Sequence, residues 1–270
     1  MKTNVLVVLL ALSSLVLMTS CQSKTGDKKT SPAKVETIET SKIKGEIISI
    51  INSLPSNTET VNLINSTGAS YLAGFTREDL KTENLLTRAE KAQTYGTIIF
   101  DLAYTNTYNQ VESFSKLLNI YETLTRELGF EELVNAQKDF KEHYQKNKDN
   151  QDSLDILVTG MLNKTNKFIQ DNGSAVDLSL VFAGAVAKSL NVISYITLFS
   201  TDKAKLIELL QKQKQTVNST CDILKMSPED ANASKLYQLL SPVNDLFNNT
   251  PVFTEKTVDE ISKLTAFISQ

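Results

Sequence analysis

From about Ser41 to the end, apolar residues recur three and four positions apart in block after block, and this spacing constrains the fold more than any other feature of the chain. A helix turns once in about 3.6 residues, so such residues line one face of it. Residues 41–53 carry Ile43, Ile47, Ile48, Ile50 and Ile51, and Pro55 stops them. Ser56 and Glu59 have the spacing of a capping box, opening a short helix that Gly68 closes. Residues 69–83 show the least regularity. A long helix is expected over 84–107, with Leu86, Ala89, Ala92, Tyr95, Ile99 and Leu102 on its face, and another over 110–128, stopped by Gly129. Amphipathic helices are expected over 131–147, 152–170 and 202–225. Ser227-Pro228-Glu229-Asp230 reads as a helix start, Pro242 should end or kink that helix, and Thr257 to Glu260 has capping-box spacing for a final one. No stretch alternates with period two between turn dipeptides, as a strand would. The expected fold is therefore all-α, a helical bundle or stacked helical hairpins of about nine to ten helices. No tetratricopeptide period recurs.

Residues 175–199 are the most apolar and long enough to cross a bilayer. Asp177, Lys188 and Asn191 fall inside them, however. A central lysine costs roughly 2.5–3.5 kcal/mol on insertion scales. Ala183, Gly184, Ala185 and Ala187 also let neighbouring helices come close. The expectation is a buried central helix.

The N-terminus has a different character. Lys2 precedes an apolar run from Val5 to Met18, broken only by Ser13 and Ser14, and Leu17-Met18-Thr19-Ser20 leads to Cys21. This is the layout of a secretory signal, and the run is short for a span of about 20 apolar residues. It ends in a cysteine and so resembles a bacterial lipobox, with Met18 where leucine is commoner. Residues 1–20 are expected to be a signal peptide and Cys21 the lipidated first residue. Several acyl chains on one cysteine hold a protein stably on a membrane, where one chain would not. Residues 21–39, rich in lysine, threonine and serine, read as a flexible tether. Residues 40–270 then form a single domain.

Composition limits the partners. The formal charge of −3 falls to about −4 without Lys2, so no basic surplus points to nucleic acid. With Cys21 assigned to lipid, Cys221 stands alone and no intramolecular disulfide is expected. It shares an apolar stripe with Val217 and Leu224 and reads as a buried thiol acting as a small hydrophobe.

Candidate chemistry is sparse. The single histidine, His143, has Asp139 one turn before it, which is too little for a metal site, and the pair reads as a solvated face. There is no glycine-rich phosphate loop and no nucleophile elbow, so no cofactor is called for. Asp101 lies inside the apolar run IIFDLAY, with Tyr104 and Tyr108 three and seven positions on, along one side of the helix. A buried aspartate needs a partner. These three residues with Tyr71 are the candidate ligand-binding set, the competing reading being a structural hydrogen-bond network.

The runs SLPS at 53–56, GASY at 68–71, YGTIIFDLAYTNTYNQ at 95–110 and ELG at 127–129 together resemble an uncharacterised family of helical lipoproteins of Bacteroidetes. The resemblance covers about a third of the chain and brings no activity with it. It implies an outer-membrane lipoprotein. Surface-exported members of that phylum often carry acidic residues after the cysteine. Here Gln22-Ser23-Lys24-Thr25 follows Cys21, which points to the periplasmic face. Asp152-Ser153-Leu154 matches that phylum's short glycosylation pattern.

The expected role is a non-catalytic envelope scaffold or protein-interaction module, attached to the membrane through its lipid and with an envelope protein as partner. The alternative is a small-ligand-binding protein with a pocket near Asp101.

Overall fold

The computed structural model describes residues 38–269; the expected signal peptide, Cys21 and the tether up to residue 37 lie outside them. The described residues are all-helical, without a strand. In chain order the helices are α1 (Ile38–Asn52), α2 (Asn57–Ser66), α3 (Arg88–Thr107), α4 (Val111–Glu127), α5 (Glu131–Lys146), α6 (Gln151–Asn172), α7 (Ala175–Phe199), α8 (Ala204–Lys212), α9 (Lys214–Lys225), α10 (Ala231–Asn249) and α11 (Glu255–Thr265).

α7 is the axis of the bundle. It packs against α1, α3, α8, α9, α10 and α11, and its apolar stretch is enclosed by them rather than exposed. Its closest neighbour is α3. The contacts Arg88–Asp177, Gly96–Val181 and Asp101–Lys188 advance together along both helices, so the two run parallel. Glycine sets their separation. A Cβ on Gly96 would fall well inside 3 Å of the Val181 carbonyl oxygen, and one on Gly184 as close to the Gln93 carbonyl. Only hydrogen on both sides lets the backbones approach this near.

The ends of this pair are capped in the ways their sequences allow. Ser56 and Glu59 form the expected capping box at α2. Thr87 with Glu90 does the same for α3, and Ser174 with Asp177 for α7. Because Thr87 is the cap, Leu86 stays outside the helix and is exposed, contrary to its expected place on the apolar face.

Three other expectations are corrected. The helix over 202–225 is two, because Gln213 has ψ near 0° and turns the chain out of α-helical register between α8 and α9. α10 begins after Asp230, whose carboxylate accepts from the amides of Asn232 and Ala233, and it continues through Pro242. Burial of Leu240, Val243 and Phe247 around the proline holds the helix together against a cost of about 3 kcal/mol. The last capping box is Thr254 with Thr257, one turn earlier than Thr257–Glu260. Phe253 before that cap and Val258 after it are both buried, in the positions of a hydrophobic staple. Cys221 is free and buried in α9, where burial pushes its thiol up to about 11.

Candidate functional site

The four residues singled out in the sequence do come together. What they hold is the protein's own chain. Between α2 and α3, residues 67–87 make no helix beyond one short turn, so their backbone groups need partners from elsewhere. Side chains of α3 and α7 supply them. The Tyr108 hydroxyl donates to the Ala69 carbonyl at 2.9 Å, and the Leu72 amide donates to the Tyr104 hydroxyl at 2.9 Å. The Arg77 amide donates to Asp101 Oδ2 at 3.0 Å, and Lys188 Nζ donates to the Phe75 carbonyl. Residues 69–77 are thus fastened at four points like a strap across the two helices.

The tyrosines also pack on one another. The Tyr71 ring centroid lies 5.1 Å from that of Tyr104 and 5.9 Å from that of Tyr108, and the latter two are 5.0 Å apart. These separations suit aromatic pairs. Burial raises the Tyr104 hydroxyl well above its usual range and pushes Tyr108 up to about 12, so both stay protonated hydrogen-bonding groups.

Beneath the strap lies an ion pair that periodicity alone did not reveal. Asp101 Oδ1 is 3.6 Å from Lys188 Nζ, and both side chains have no exposed surface. Burial raises the Asp101 carboxyl; Lys188, the Arg77 amide and the Arg77 charge act against that rise. The Arg77 guanidinium is itself lowered by burial and sustained by Asp101. Lys188 was legible in the sequence only as an argument against a membrane span. The signal for the pair was that Asp101 interrupts an apolar run in α3 and Lys188 one in α7, and a buried charge requires a partner. A second pair closes the N-terminal end of the same seam. Arg88 holds Asp177 through Nε at 3.0 Å and a second nitrogen at 3.1 Å, and donates to the Leu128 carbonyl at 2.8 Å.

A different kind of site lies where the α1–α2 turn meets α6 and α7. There the surface opens into a groove of about 400 Å³. Its floor is Ile99, Ile169, Leu178 and Val181, which are buried, with Phe182 beside them. Its rim is carboxamide: Asn52 and Asn57 from one side, Asn163, Asn166 and Gln170 from α6. Asn163, Asn166 and Gln170 follow at helical spacing, so one edge of α6 presents them in a row. Neither this groove nor two others, beside α8 and between α10 and α11, is lined by Tyr71, Asp101, Tyr104 or Tyr108. His143 is exposed on α5, as a solvated face requires. Among the described residues no group of three or more histidine, cysteine or acidic side chains is placed to hold a metal.

No family model, curated protein or solved structure matches the chain.

Proposed function

We propose that this protein is a lipid-anchored module of the bacterial envelope that works by binding another protein, not by catalysis. The observation that carries the reading is the use made of its most unusual polar residues. Asp101, Lys188, Tyr104 and Tyr108 each bond to the backbone of residues 69–77, and Asp101, Lys188 and Tyr104 are fully buried beneath it. A small ligand beside Asp101 has less support, because that stretch of chain occupies the space. The anchor rests on the signal-like run before Cys21, the outer membrane on the resemblance to Bacteroidetes lipoproteins, and the periplasmic face on the run Gln22-Ser23-Lys24-Thr25, which has no acidic residue after the cysteine.

Two measurements in a Bacteroidetes host test it. An alkyne-palmitate label should enter the wild type and be lost from Cys21→Ser. Cross-linking in intact cells should join the protein to one reproducible envelope partner. An unlabelled wild type would remove the anchor, and turnover of an envelope substrate by the purified protein would remove the binding role.

A further inference from the structure

The groove at the α1–α2 turn carries an inference that rests on the binding-module reading and gives it a surface and a partner chemistry. We propose that it receives a short extended peptide segment of the partner, uncharged and with aliphatic side chains.

Charge is the first argument. Two charged residues touch the rim, and each is already matched. Lys167 Nζ lies 3.2 Å from Asp171, and Glu59 accepts the Ser56 amide at 2.7 Å in the α2 capping box. That bond holds the Glu59 carboxyl below its usual range. A charged guest would give up its hydration here and find no counter-ion, which is costly. A neutral guest gives up no ionic hydration, and its amides can be matched by the rim.

Hydrogen bonding is the second. A carboxamide offers one carbonyl acceptor and an NH₂ donor, the same pair of functions as a peptide unit. Asn163 and Asn166 stand on successive turns of α6, and neither forms a side-chain hydrogen bond among the described residues. At the end of the row, Gln170 donates to Asn52 at 2.9 Å across the groove. This bond is of the kind an incoming peptide unit would replace in kind.

Shape is the third. Asn163 to Gln170 spans about 10 Å of helix, the length of about three residues of extended chain at roughly 3.3 Å each. A volume of about 400 Å³ suits a guest of that size. The opposite wall is aliphatic, with Phe182 the single aromatic ring, so side chains such as valine have a place whereas a stacked sugar has no pair of platforms.

The test is a titration of the protein, its isoleucine, leucine and valine methyls labelled, with acetyl-Val-Ala-Val-amide. Acetyl-Glu-Ala-Glu-amide, acetyl-Lys-Ala-Lys-amide and sucrose serve as comparisons. The neutral peptide should move the methyls of Ile99, Ile169, Leu178 and Val181 saturably. Asn163→Ala combined with Asn166→Ala should weaken this roughly tenfold, as expected for losing two exposed hydrogen bonds, with an unchanged melting temperature. Unmoved methyls, equal binding of either charged peptide, or shifts with sucrose alone would each overturn the proposal. The same double variant separates it from the broader reading. If it still cross-links to the wild-type partner with undiminished yield, the groove is wrong and the module reading stands. If the wild type captures no partner, the module reading itself fails.

Discussion

The strap over Asp101 and the groove beside α6 are both places where irregular chain meets the α3–α7 pair, and they are finished in opposite ways. Under the strap the chemistry is charged and aromatic, and it is closed. Residues 69–77 are fastened through their backbone by side chains of α3, its C-cap Tyr108 and α7. At the groove the chemistry is neutral, and it is open. The charges there are matched beside the groove, and Asn163 and Asn166 on its rim are left over while Gln170 bonds Asn52. Two positions apart in α3, Asp101 serves the first and Ile99 the second. The contrast teaches where this fold uses strong interactions: to close on itself. Weak, exchangeable ones face outward, which suits a surface that must bind and release.

The sharpest way to break the comparison is to remove one charge from under the strap. Lys188→Ala leaves the Asp101 carboxylate buried without its partner and should cost about 3–5 kcal/mol in urea unfolding. Asp101→Leu with Lys188→Met removes both charges and should recover part of that loss, because an apolar pair avoids the desolvation of two ions while the Arg77 amide and the Phe75 carbonyl lose their partners. A loss below about 1 kcal/mol for Lys188→Ala would mean that the pair behaves like a surface ion pair and does not hold the strap.

A smaller effect is expected at the glycine contact. Gly96→Ala places a methyl against the Val181 carbonyl, where backbone must shift. Overpacking of this kind costs about 1–3 kcal/mol, measurable as a lowered melting temperature. Gly45→Ala is the control, since a Cβ there meets nothing within 4 Å.

Tyr104→Phe is milder again. It keeps the stacked rings and takes the acceptor from the Leu72 amide, for about 1 kcal/mol. The specific readout is faster hydrogen exchange at Leu72 with little change elsewhere. Uniformly faster exchange across α3 would show that the hydroxyl supports the helix rather than the strap.

Acidity gives a further reading of the same region. Burial raises the Asp101 carboxyl in the folded protein, against about 3.9 in an unfolded chain. Between those two values the folded state binds more protons than the unfolded state. Stability from this group therefore falls as pH rises through that window, and is flat above and below it. Asp101→Asn lacks this slope. The difference in unfolding free energy between wild type and variant should change across the window in that direction; the opposite slope would place a dominant salt-bridge stabilisation at Asp101.

Much of this was legible in the chain, and what was not has a common cause. Helix positions follow local periodicity, so α3, α4 and α7 fall close to their expected bounds. The capping box at Ser56–Glu59 is likewise a local pattern. The four residues Tyr71, Asp101, Tyr104 and Tyr108 could be grouped because three share one helix. What periodicity cannot give is pairing across separate helices. Lys188 meets Asp101 through a parallel packing of α3 on α7 in which Gly96 lies against the Val181 backbone and Gly184 against the Gln93 backbone. The groove escaped for the same reason, since Asn52, Asn163 and Phe182 lie far apart in sequence. Pro242 does not end α10, because propensity describes an isolated helix and packing on either side of the proline carries the helix through it.

The smallest effect is predicted at the groove, and its smallness is the point. Asn163→Ala with Asn166→Ala removes two exposed or half-exposed amides that hold nothing among the described residues. Surface changes of this kind stay within about 0.5 kcal/mol, and alanine is the better helix former. The double variant should therefore unfold at the same urea concentration as wild type, or slightly higher. A loss of more than about 1 kcal/mol would show that these amides support the fold. They would then belong with Asp101 and Tyr104 as closing contacts, and the division between a charged, closed region and a neutral, open one would not hold.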